Sequence, residues 1–297
     1  MTAATKKAVA TTADWLIYAI GGGLGHARRG WLLQHLLAQA GRTAILLVRP
    51  DSDRHLPAAT LPRACGGSLA DPHLADLVHR PPRGIVADTF PRGWHGELNE
   101  ELLGRFETRV WLARHSRSHG VADAVNYHRV LSPYPAGGCE WDGQLPTARH
   151  AGYLVDSSHL DLRPDPRRFV LVDSEGRCNP RLLGIFRAEA QRAGLEFHLQ
   201  HRLHDPIHAA KLLLVGAGYH SFYECLGQDV DVRFLPVAKR HDDQHRRARR
   251  FGCALDTLDE LMPWLASPCN RPALDARMDG DTVLAALGIA GKLTHPG

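Results

Sequence analysis

The sequence has few of the features that mark secretion, membrane insertion or a structural metal site. Its six cysteines lie far apart, at positions 65, 139, 178, 225, 253 and 269, and form no C-x-x-C pair. This spacing indicates neither zinc binding nor a compact disulfide framework. Residues 1–13 lack the apolar core of a signal peptide, and no uninterrupted apolar run could span a bilayer. We therefore expect a reduced, cytoplasmic protein without an integral membrane segment.

Several catalytic signatures are also missing. The chain has no G-x-x-x-x-G-K-[ST] loop, which disfavours phosphoryl transfer of the P-loop type. It has no G-x-S-x-G turn, which disfavours a serine hydrolase. The 19 histidines are scattered and include no H-E-x-x-H pair, so we interpret most of them as surface or loop residues.

Length and composition predict a folded protein of two domains. The 297 residues exceed the usual size of a single core, and 44% of them are hydrophobic and 23% charged, as in ordinary soluble domains. The net charge of +4 is modest. A basic cluster contributes much of it, and its members are Lys239, Arg240, Arg246, Arg247, Arg249 and Arg250. We interpret this cluster as a solvated helix face, with phosphate attraction as the alternative, and expect no nucleic-acid partner.

Short apolar runs alternate with helix-period segments in both halves of the chain. This pattern is typical of parallel strands joined by helices. Strands are predicted at 16–20, 44–48, 84–88, 109–112, 128–131, 168–173, 195–199, 211–215 and 232–235. Helices are predicted after His26, over 98–106 and over 180–193, and the proline- and glycine-rich stretch 132–166 is interpreted as the connection between domains. We predict two doubly wound α/β domains, 1–150 and 151–297, whose strand-end loops converge on a cleft.

A glycine-rich turn, GGGLGHARR, follows the first predicted strand and opens a helix. Gly23 and Gly25 let the backbone approach a ligand, and the helix start favours anions. The third glycine of the dinucleotide fingerprint is missing, and no acidic residue ends the strand at 44–48. We therefore expect no nicotinamide or flavin cofactor here. His26, Arg28 and Arg29 fit phosphorylated or sugar substrates better.

A second such turn, GAGYHSFYEC, follows the predicted strand at 211–215. Gly218 and Ser221 can hold a phosphate through backbone N–H groups and a hydroxyl. Glu224, three residues further along the same helix face, can accept the two hydroxyls of a ribose. The same Ser and Glu spacing also describes a capping box, which needs no ligand.

Two further loops carry candidate site residues. In HDDQ, which opens the next predicted helix, Asp243 and Gln244 can hydrogen-bond sugar hydroxyls, or else Asp242 or Asp243 caps the helix. In DTFPRG, Asp88 can hold His26 in its active tautomer or bind an acceptor, or else it caps a local turn. Positive charge on the same rim is expected from Arg114, His115, Arg117 and His119.

Taken together, these segments resemble the glycosyltransferases of the two-Rossmann-domain (GT-B) type. They are similar to the family of the peptidoglycan UDP-N-acetylglucosamine transferase. The resemblance implies two Rossmann-like domains facing a central cleft, a nucleotide-diphosphate sugar donor with UDP as the expected nucleotide, and no cofactor. It assigns donor phosphates to Ser221, ribose to Glu224, donor sugar to Asp243 and Gln244, and the acceptor side to His26. Gly23, Gly25 and Arg28 then belong to the acceptor side, and His26 is the candidate base.

The resemblance has departures, and it leaves alternatives open. Where these enzymes carry a glycine-rich phosphate loop, this chain reads DSEGR, so Asp173 and Glu175 would repel a diphosphate unless Arg177 offsets them. The pattern G-x-G-H-x-x-R also resembles the UDP-sugar hydrolases of pseudaminic acid synthesis, in which His26 would activate water. A non-catalytic nucleotide-sugar binder is the third interpretation. Because Arg177 or Lys239 can neutralise a leaving group, we expect metal independence, with a small-molecule or lipid acceptor offering a hydroxyl or amine.

Overall fold

The computed structural model describes residues 13–57, 61–114, 121–135, 148–158, 160–239, 242–269 and 278–289. The chain divides into two compact units. The N-terminal unit runs to Leu154 and takes up the chain again from Met278, and the C-terminal unit begins at Val155. His115, Arg117, His119, Arg240 and Cys139, all considered above, lie outside the described residues.

The N-terminal unit is built on a seven-stranded sheet in which every neighbouring pair is parallel. Its strands are β1 Trp15–Tyr18, β2 Ala44–Val48, β3 Arg63–Cys65, β4 Gly84–Asp88, β5 Thr108–Leu112, β6 Arg129–Ser132 and β7 Arg149–His150, in the spatial order β3-β2-β1-β4-β5-β6-β7. Its helices up to this point are α1 Leu24–Gln39, α2 Pro50–Asp53, α3 Ala75–His79 and α4 Glu100–Leu103, with 3₁₀ turns at Pro72–Leu74 and Val121–Asn126. The central strands β1, β2 and β4 are buried along their whole length, as expected for a parallel sheet covered on both faces.

Helix α1 packs closely on this sheet because a glycine faces it. A Cβ atom added to Gly30 would lie 2.5 Å from Leu46 Cδ1 and 2.9 Å from Ala19 Cβ. Leu33 and Leu37 on the same helix are buried in the core that covers this face. The helix therefore lies against β1 and β2 at a distance that only glycine permits at position 30.

The C-terminal unit has a four-stranded parallel sheet and a separate parallel pair of short strands. Its strands are β8 Leu162–Arg163, β9 Arg168–Val172, β10 Glu196–Gln200, β11 Ile207–His208, β12 Lys211–Val215 and β13 Asp231–Leu235, in the order β10-β9-β12-β13, with β8 beside β11. Its helices are α5 Pro180–Arg192, α6 Tyr219–Cys225, α7 Gln244–Arg250 and α8 Leu261–Ala266, with a 3₁₀ turn at Leu258–Glu260. Phe169 packs against Trp264 at a ring separation of 5.9 Å in the core of this unit.

The last helix, α9 Gly280–Leu287, returns to the N-terminal unit. Val283 and Leu284 are buried in the same core cluster as Leu33 of α1, and Arg129 of β6 donates a hydrogen bond to the carbonyl of Leu287. The predicted division placed all of 151–297 in one domain. The contacts of α9 instead place this helix on the first unit, because its apolar face is buried there.

The predicted α/β class with two Rossmann-like units is confirmed. Strands β2, β4 and β12 have the predicted bounds, and the predicted connection at 132–166 contains the boundary between the units. The helix predicted over 98–106 is shorter, with only Glu100–Leu103 helical after the cap of Asn99. Strands β3, β7, β8 and β11 were not predicted, because runs of two or three residues carry no periodicity.

Within the described residues no helix is long and apolar enough to cross a bilayer. The five cysteines of the described part, Cys65, Cys178, Cys225, Cys253 and Cys269, are free thiols.

The close approach at Gly30 gives a test of the packing. Gly30→Ala should lower the free energy of unfolding by about 1–3 kcal/mol, because the added methyl group overlaps Leu46. Gly184→Ala is the matched control, since this exposed glycine of α5 has open space around its Cβ position, and it should gain about 0.5–1 kcal/mol from helix propensity. Urea denaturation followed by circular dichroism measures both, and equal effects would contradict the packing.

Candidate functional site

The N-terminal unit brings His26, Arg29 and Asp88 together at the ends of α1 and β4. His26 Nδ1 lies 2.7 Å from Asp88 Oδ2. Arg29 donates from Nε to Asp88 Oδ1 at 2.9 Å and from NH2 to Oδ2 at 2.8 Å. The side chains of Arg29 and Asp88 are fully buried, and His26 is 8% exposed. This bidentate pair holds Asp88 in one orientation, and Asp88 in turn orients the imidazole.

The charges of this cluster set the protonation of His26. Burial opposes ionisation of Asp88, but the positive charge and hydrogen bonds of Arg29 and His26 outweigh it and keep the pKa of Asp88 far below its usual value. Burial lowers the pKa of His26, Asp88 opposes this effect, and the net result is a pKa below the usual value. The ionised Asp88 can only accept a hydrogen bond, so neutral His26 carries its proton on Nδ1. Its Nε2 lone pair is then available to take a proton.

Glycine and aromatic residues position the imidazole ring. A Cβ atom added to Gly21 would lie 2.3 Å from His26 Cδ2, so the ring occupies the space that a side chain at position 21 would fill. Phe90 stacks on His26 with ring centroids 5.3 Å apart, and Trp94 packs edge-on against Phe90 at 4.8 Å. Thr89 between Asp88 and Phe90 has a φ of 66°, an uncommon conformation for a β-branched residue. Trp111 Nε1 donates to the Thr89 carbonyl at 3.1 Å and holds this turn in place.

The C-terminal unit contains a pocket at the carboxyl ends of β9, β12 and β13. The residues that line it include Ser174, Glu175, Arg177, Gly216, Gly218, Ser221, Lys239 and Gln244. Four residues predicted for donor binding are therefore together: Arg177, Gly218, Ser221 and Gln244. Parallel sheets place ligand sites at this edge, because the loops that follow the strands meet there.

Gln244 and Arg247 tie α7 to the glycine turn beside this pocket. Gln244 Oε1 accepts from the backbone N–H of Ala217 at 2.7 Å and of Val237 at 3.1 Å. Arg247 is fully buried and donates to the Ala217 carbonyl at 2.6 Å and to Asp242 Oδ1 at 2.6 Å. The expectation that the basic cluster is wholly a solvated helix face is therefore wrong at Arg247. Its guanidinium is buried and hydrogen-bonded to the Ala217 carbonyl and to Asp242.

Asp243 and Glu224 have structural partners in this arrangement. Asp243 caps α7, accepting from the backbone N–H of Arg246 at 3.1 Å. Glu224 is 2% exposed, with Oε1 3.5 Å from His220 Nδ1 on the same helix. The capping alternative therefore describes the present geometry of Asp243, and the sugar and ribose roles of these two residues stay predictions.

Both carboxylates of the DSEGR loop have partners within the chain. Asp173 is 2% exposed and accepts from the backbone N–H of Arg177 at 2.9 Å and of Cys178 at 2.7 Å. Burial opposes its ionisation, but these hydrogen bonds dominate and lower its pKa. Glu175 binds the side chains of Arg177 and Lys239. Arg177 therefore offsets Glu175, as the sequence required, and backbone groups offset Asp173.

The remaining predicted residues lie at the start of α1. Gly23 caps the helix through its backbone, Gly25 is half-buried in the first turn, and Arg28 is partly exposed. Sequence reasoning did not assign Arg29 a partner. The signal was its position three residues after His26, which places both side chains on one helix face. The contributions of Phe90 and Trp94 had no comparable signal.

No group of three metal-ligating side chains that could hold an ion is found among the described residues. The chain has three Asp-x-Asp pairs, and each has a member with a structural partner. Asp53 binds Arg63, Asp231 binds Lys211, and Asp279 caps α9. Metal independence itself stays a prediction.

Two Rossmann-like units with parallel sheets in one chain are the fold that this chain shares with solved glycosyltransferases of the GT-B type. Among solved structures, it is similar to MurG of Acinetobacter baumannii at 14% identity and a TM-score of 0.60, covering 93% of this chain and 99% of that one. It is also similar to the spinosyn forosaminyltransferase SpnP, at 14% identity, a TM-score of 0.58 and 93% coverage of both chains. The glycosyltransferase VinC, solved in complex with dTDP, matches at 14% identity and a TM-score of 0.57, covering 92% of this chain and 93% of that one. No protein-family model and no curated protein matches the sequence.

The lowered pKa of His26 predicts a pH effect on stability. The unfolded chain binds a proton at His26 more readily than the folded protein does, so stability falls as pH decreases through the usual histidine pKa of about 6.5. His26→Gln removes this contribution, and the variant should lose less stability than wild type between pH 7.5 and 5.5. Urea titrations at both pH values measure the difference, and parallel losses in the two proteins would contradict the burial of a neutral His26.

The contact between Gly21 and His26 gives a second prediction. Gly21→Ala should lower the melting temperature by several degrees, because the imidazole must move and strain its bond to Asp88. Gly23→Ala is the matched variant in the same turn, since its Cβ position meets nothing within 4 Å and its φ of −164° suits any residue. Differential scanning fluorimetry compares them, and equal melting temperatures would show that the ring does not depend on Gly21.

Proposed function

We propose that the protein transfers a sugar from a nucleotide-diphosphate sugar to a hydroxyl or amine acceptor. The observation that carries this proposal is the buried pair of His26 and Asp88 at a glycine turn, in a chain with the GT-B fold. Similar structures include those of sugar transferases, and two of these were solved with a nucleoside diphosphate. The likeness supports the class of reaction, and this chain's own residues supply the groups that the reaction needs.

His26 is the general base in this proposal. An acceptor hydroxyl must lose its proton as it attacks the anomeric carbon, and neutral His26 can take that proton on Nε2. The imidazolium that forms would be stabilised by Asp88, which accepts from Nδ1 and is held ionised by Arg29. Phe90 packs against the imidazole ring of His26, and Trp94 packs against Phe90. Because the base must lie next to the acceptor, the N-terminal unit is the acceptor side in this proposal. Gly23, Gly25 and Arg28 would then lie near the acceptor.

The donor belongs to the C-terminal unit. Ser221 and Gly218 line its pocket and would meet the phosphates, while Arg177 and Lys239 supply positive charge to the departing diphosphate. Gln244 lines the same pocket and would contact the donor sugar through its amide N–H group, because its oxygen is held by two backbone N–H groups. Asp243 and Glu224 would contact the sugar and the ribose in addition to their present contacts with Arg246 and His220, since a carboxylate can accept several hydrogen bonds. We propose UDP as the nucleotide and the chain's own cations in place of a metal ion.

A first experiment identifies the donor. Purified protein is heated with UDP, GDP, dTDP and their common sugar conjugates, because a ligand that binds the folded state raises the melting temperature. A shift with one base names the donor for acceptor screens, in the presence and absence of EDTA. No shift with any nucleotide would contradict a nucleotide-sugar function.

Substitutions then separate chemistry from binding. His26→Ala should reduce kcat by about 10²- to 10⁴-fold, the usual contribution of a general base, while the melting shift with donor stays. Ser221→Ala should instead weaken donor binding by about fivefold, the equivalent of one hydrogen bond, and keep kcat at saturating donor. His198→Ala, on the exposed edge strand β10, is the control and should behave as wild type.

The products distinguish the alternatives. Free sugar released without any acceptor would identify a hydrolase in which His26 activates water. Donor binding without turnover, unchanged in His26→Ala, would identify a non-catalytic binder. Loss of donor binding in His26→Ala with normal kcat in the remaining complex would contradict the assigned roles.

A further inference from the structure

An ion-pair cluster joins two loops across the pocket of the C-terminal unit. Glu175 lies on the loop after β9, and Lys239 lies on the loop after β13. Lys239 Nζ is 3.3 Å from both carboxylate oxygens of Glu175. Arg177 donates from Nε to Glu175 Oε2 at 2.6 Å and also from NH2 to the same oxygen. All three residues line the pocket that holds Ser221.

The carboxylate of Glu175 lies between two cations of the pocket, Arg177 and Lys239. Arginine and lysine bind the oxygens of carboxylates and phosphates in similar geometry. Although burial opposes its ionisation, the contacts of Arg177 and Lys239 lower the pKa of Glu175, so the group is charged at neutral pH. The two cations available for a donor diphosphate are therefore already neutralised in part by the chain itself.

Glu175 differs in this respect from the other carboxylate of the loop. Asp173 is buried and accepts hydrogen bonds from two backbone N–H groups of its own loop, so its carboxylate stabilises the conformation of the loop. The side chain of Glu175 is 53% exposed, and those of its partners are 39% and 38% exposed. Ion pairs between side chains as exposed as these contribute little to stability and exchange partners readily. Breaking these ion pairs should therefore cost the loop little stability.

We propose that Glu175 is an internal competitor for the donor phosphates and so determines which anions the pocket accepts. Its carboxylate must leave Arg177 and Lys239 when a ligand binds between them. A tethered group on a short segment competes at an effective concentration on the order of millimolar. The electrostatic attraction of Arg177 and Lys239 for a singly charged anion is about equal to their attraction for Glu175. Their attraction for a diphosphate, which carries more charge, is stronger. The inference rests on the proposed function for the identity of the ligand as a diphosphate.

The test uses inorganic pyrophosphate and the full-length protein. Isothermal titration at pH 7.5 and fixed ionic strength compares wild type with Glu175→Gln, which removes the charge and keeps the shape. Pyrophosphate should bind about tenfold more tightly to Glu175→Gln, since one like charge next to an exposed phosphate is worth on the order of a factor of ten. Glu175→Ser gives the same result through a second variant, and circular dichroism checks that both are folded.

A matched control removes an acidic charge elsewhere in the same unit. Glu196→Gln, on β10 and beside His198, changes the net charge by the same amount outside the pocket, and its pyrophosphate affinity should stay within twofold of wild type. Lys239→Gln completes a double-mutant cycle. Lys239→Gln should weaken pyrophosphate binding more in the Glu175→Gln background than in wild type. In that background Lys239 is no longer paired with the carboxylate, so its whole charge is available to the ligand.

The outcomes separate this inference from the proposed function. Equal or weaker pyrophosphate binding by Glu175→Gln, or no binding by either protein at tens of millimolar, overturns the competitor role. Neither result decides whether the protein uses nucleotide sugars, which the donor panel and turnover measure independently. Tighter pyrophosphate binding by Glu175→Gln supports the competitor role even in a protein that fails to transfer sugar.

Discussion

The buried ion pair of Arg29 and Asp88 is the interaction on which the N-terminal site depends. Removing two charges from water is costly, and the pair is tolerated because its two parallel hydrogen bonds satisfy both carboxylate oxygens. Asp88 is the last residue of a central strand, and Arg29 lies in the second turn of α1. The pair therefore joins the N-terminal part of the helix to the carboxyl end of the strand. His26 receives its orientation from this pair. A neutral residue in place of either partner would leave the other charge buried and uncompensated, and the geometry of His26 would change with it.

The same constraint, that buried polar groups need partners, explains the loops of the C-terminal unit. Asp173 accepts two backbone N–H groups, Gln244 accepts two more, and Arg247 reaches the Ala217 carbonyl from within. These contacts hold in place the loops that line the pocket. At the exposed side of the pocket, charges meet through weak surface contacts between Glu175, Arg177 and Lys239. Burial thus distinguishes two carboxylates of the same loop. The contacts of buried Asp173 are fixed, and the contacts of exposed Glu175 can be exchanged for those of a ligand.

Much of the fold could be predicted because its central strands are buried on both faces. The runs at β2, β4 and β12 are continuous and mostly apolar, with a charged residue only at the end of β4 and the start of β12, so their bounds follow closely from the sequence. Short strands such as β7 and β11 are defined by their neighbours and not by their own residues. Helix α9 has an apolar face that fits a core, but the sequence does not say which core, and a compositional boundary near residue 150 assigned it to the wrong unit.

The sequence by itself determined the two α/β units, the glycine turns and the residue types that gather at the strand ends, because periodicity and backbone freedom are local properties. It also indicated that His26 and Asp88 lie close together, since Asp88 ends one central strand and His26 follows another in the same sheet. The tertiary structure decided how each polar group is used. Whether Arg247 is buried against Ala217 and whether Glu175 engages Lys239 depends on groups distant in sequence that the folded chain brings within hydrogen-bonding distance.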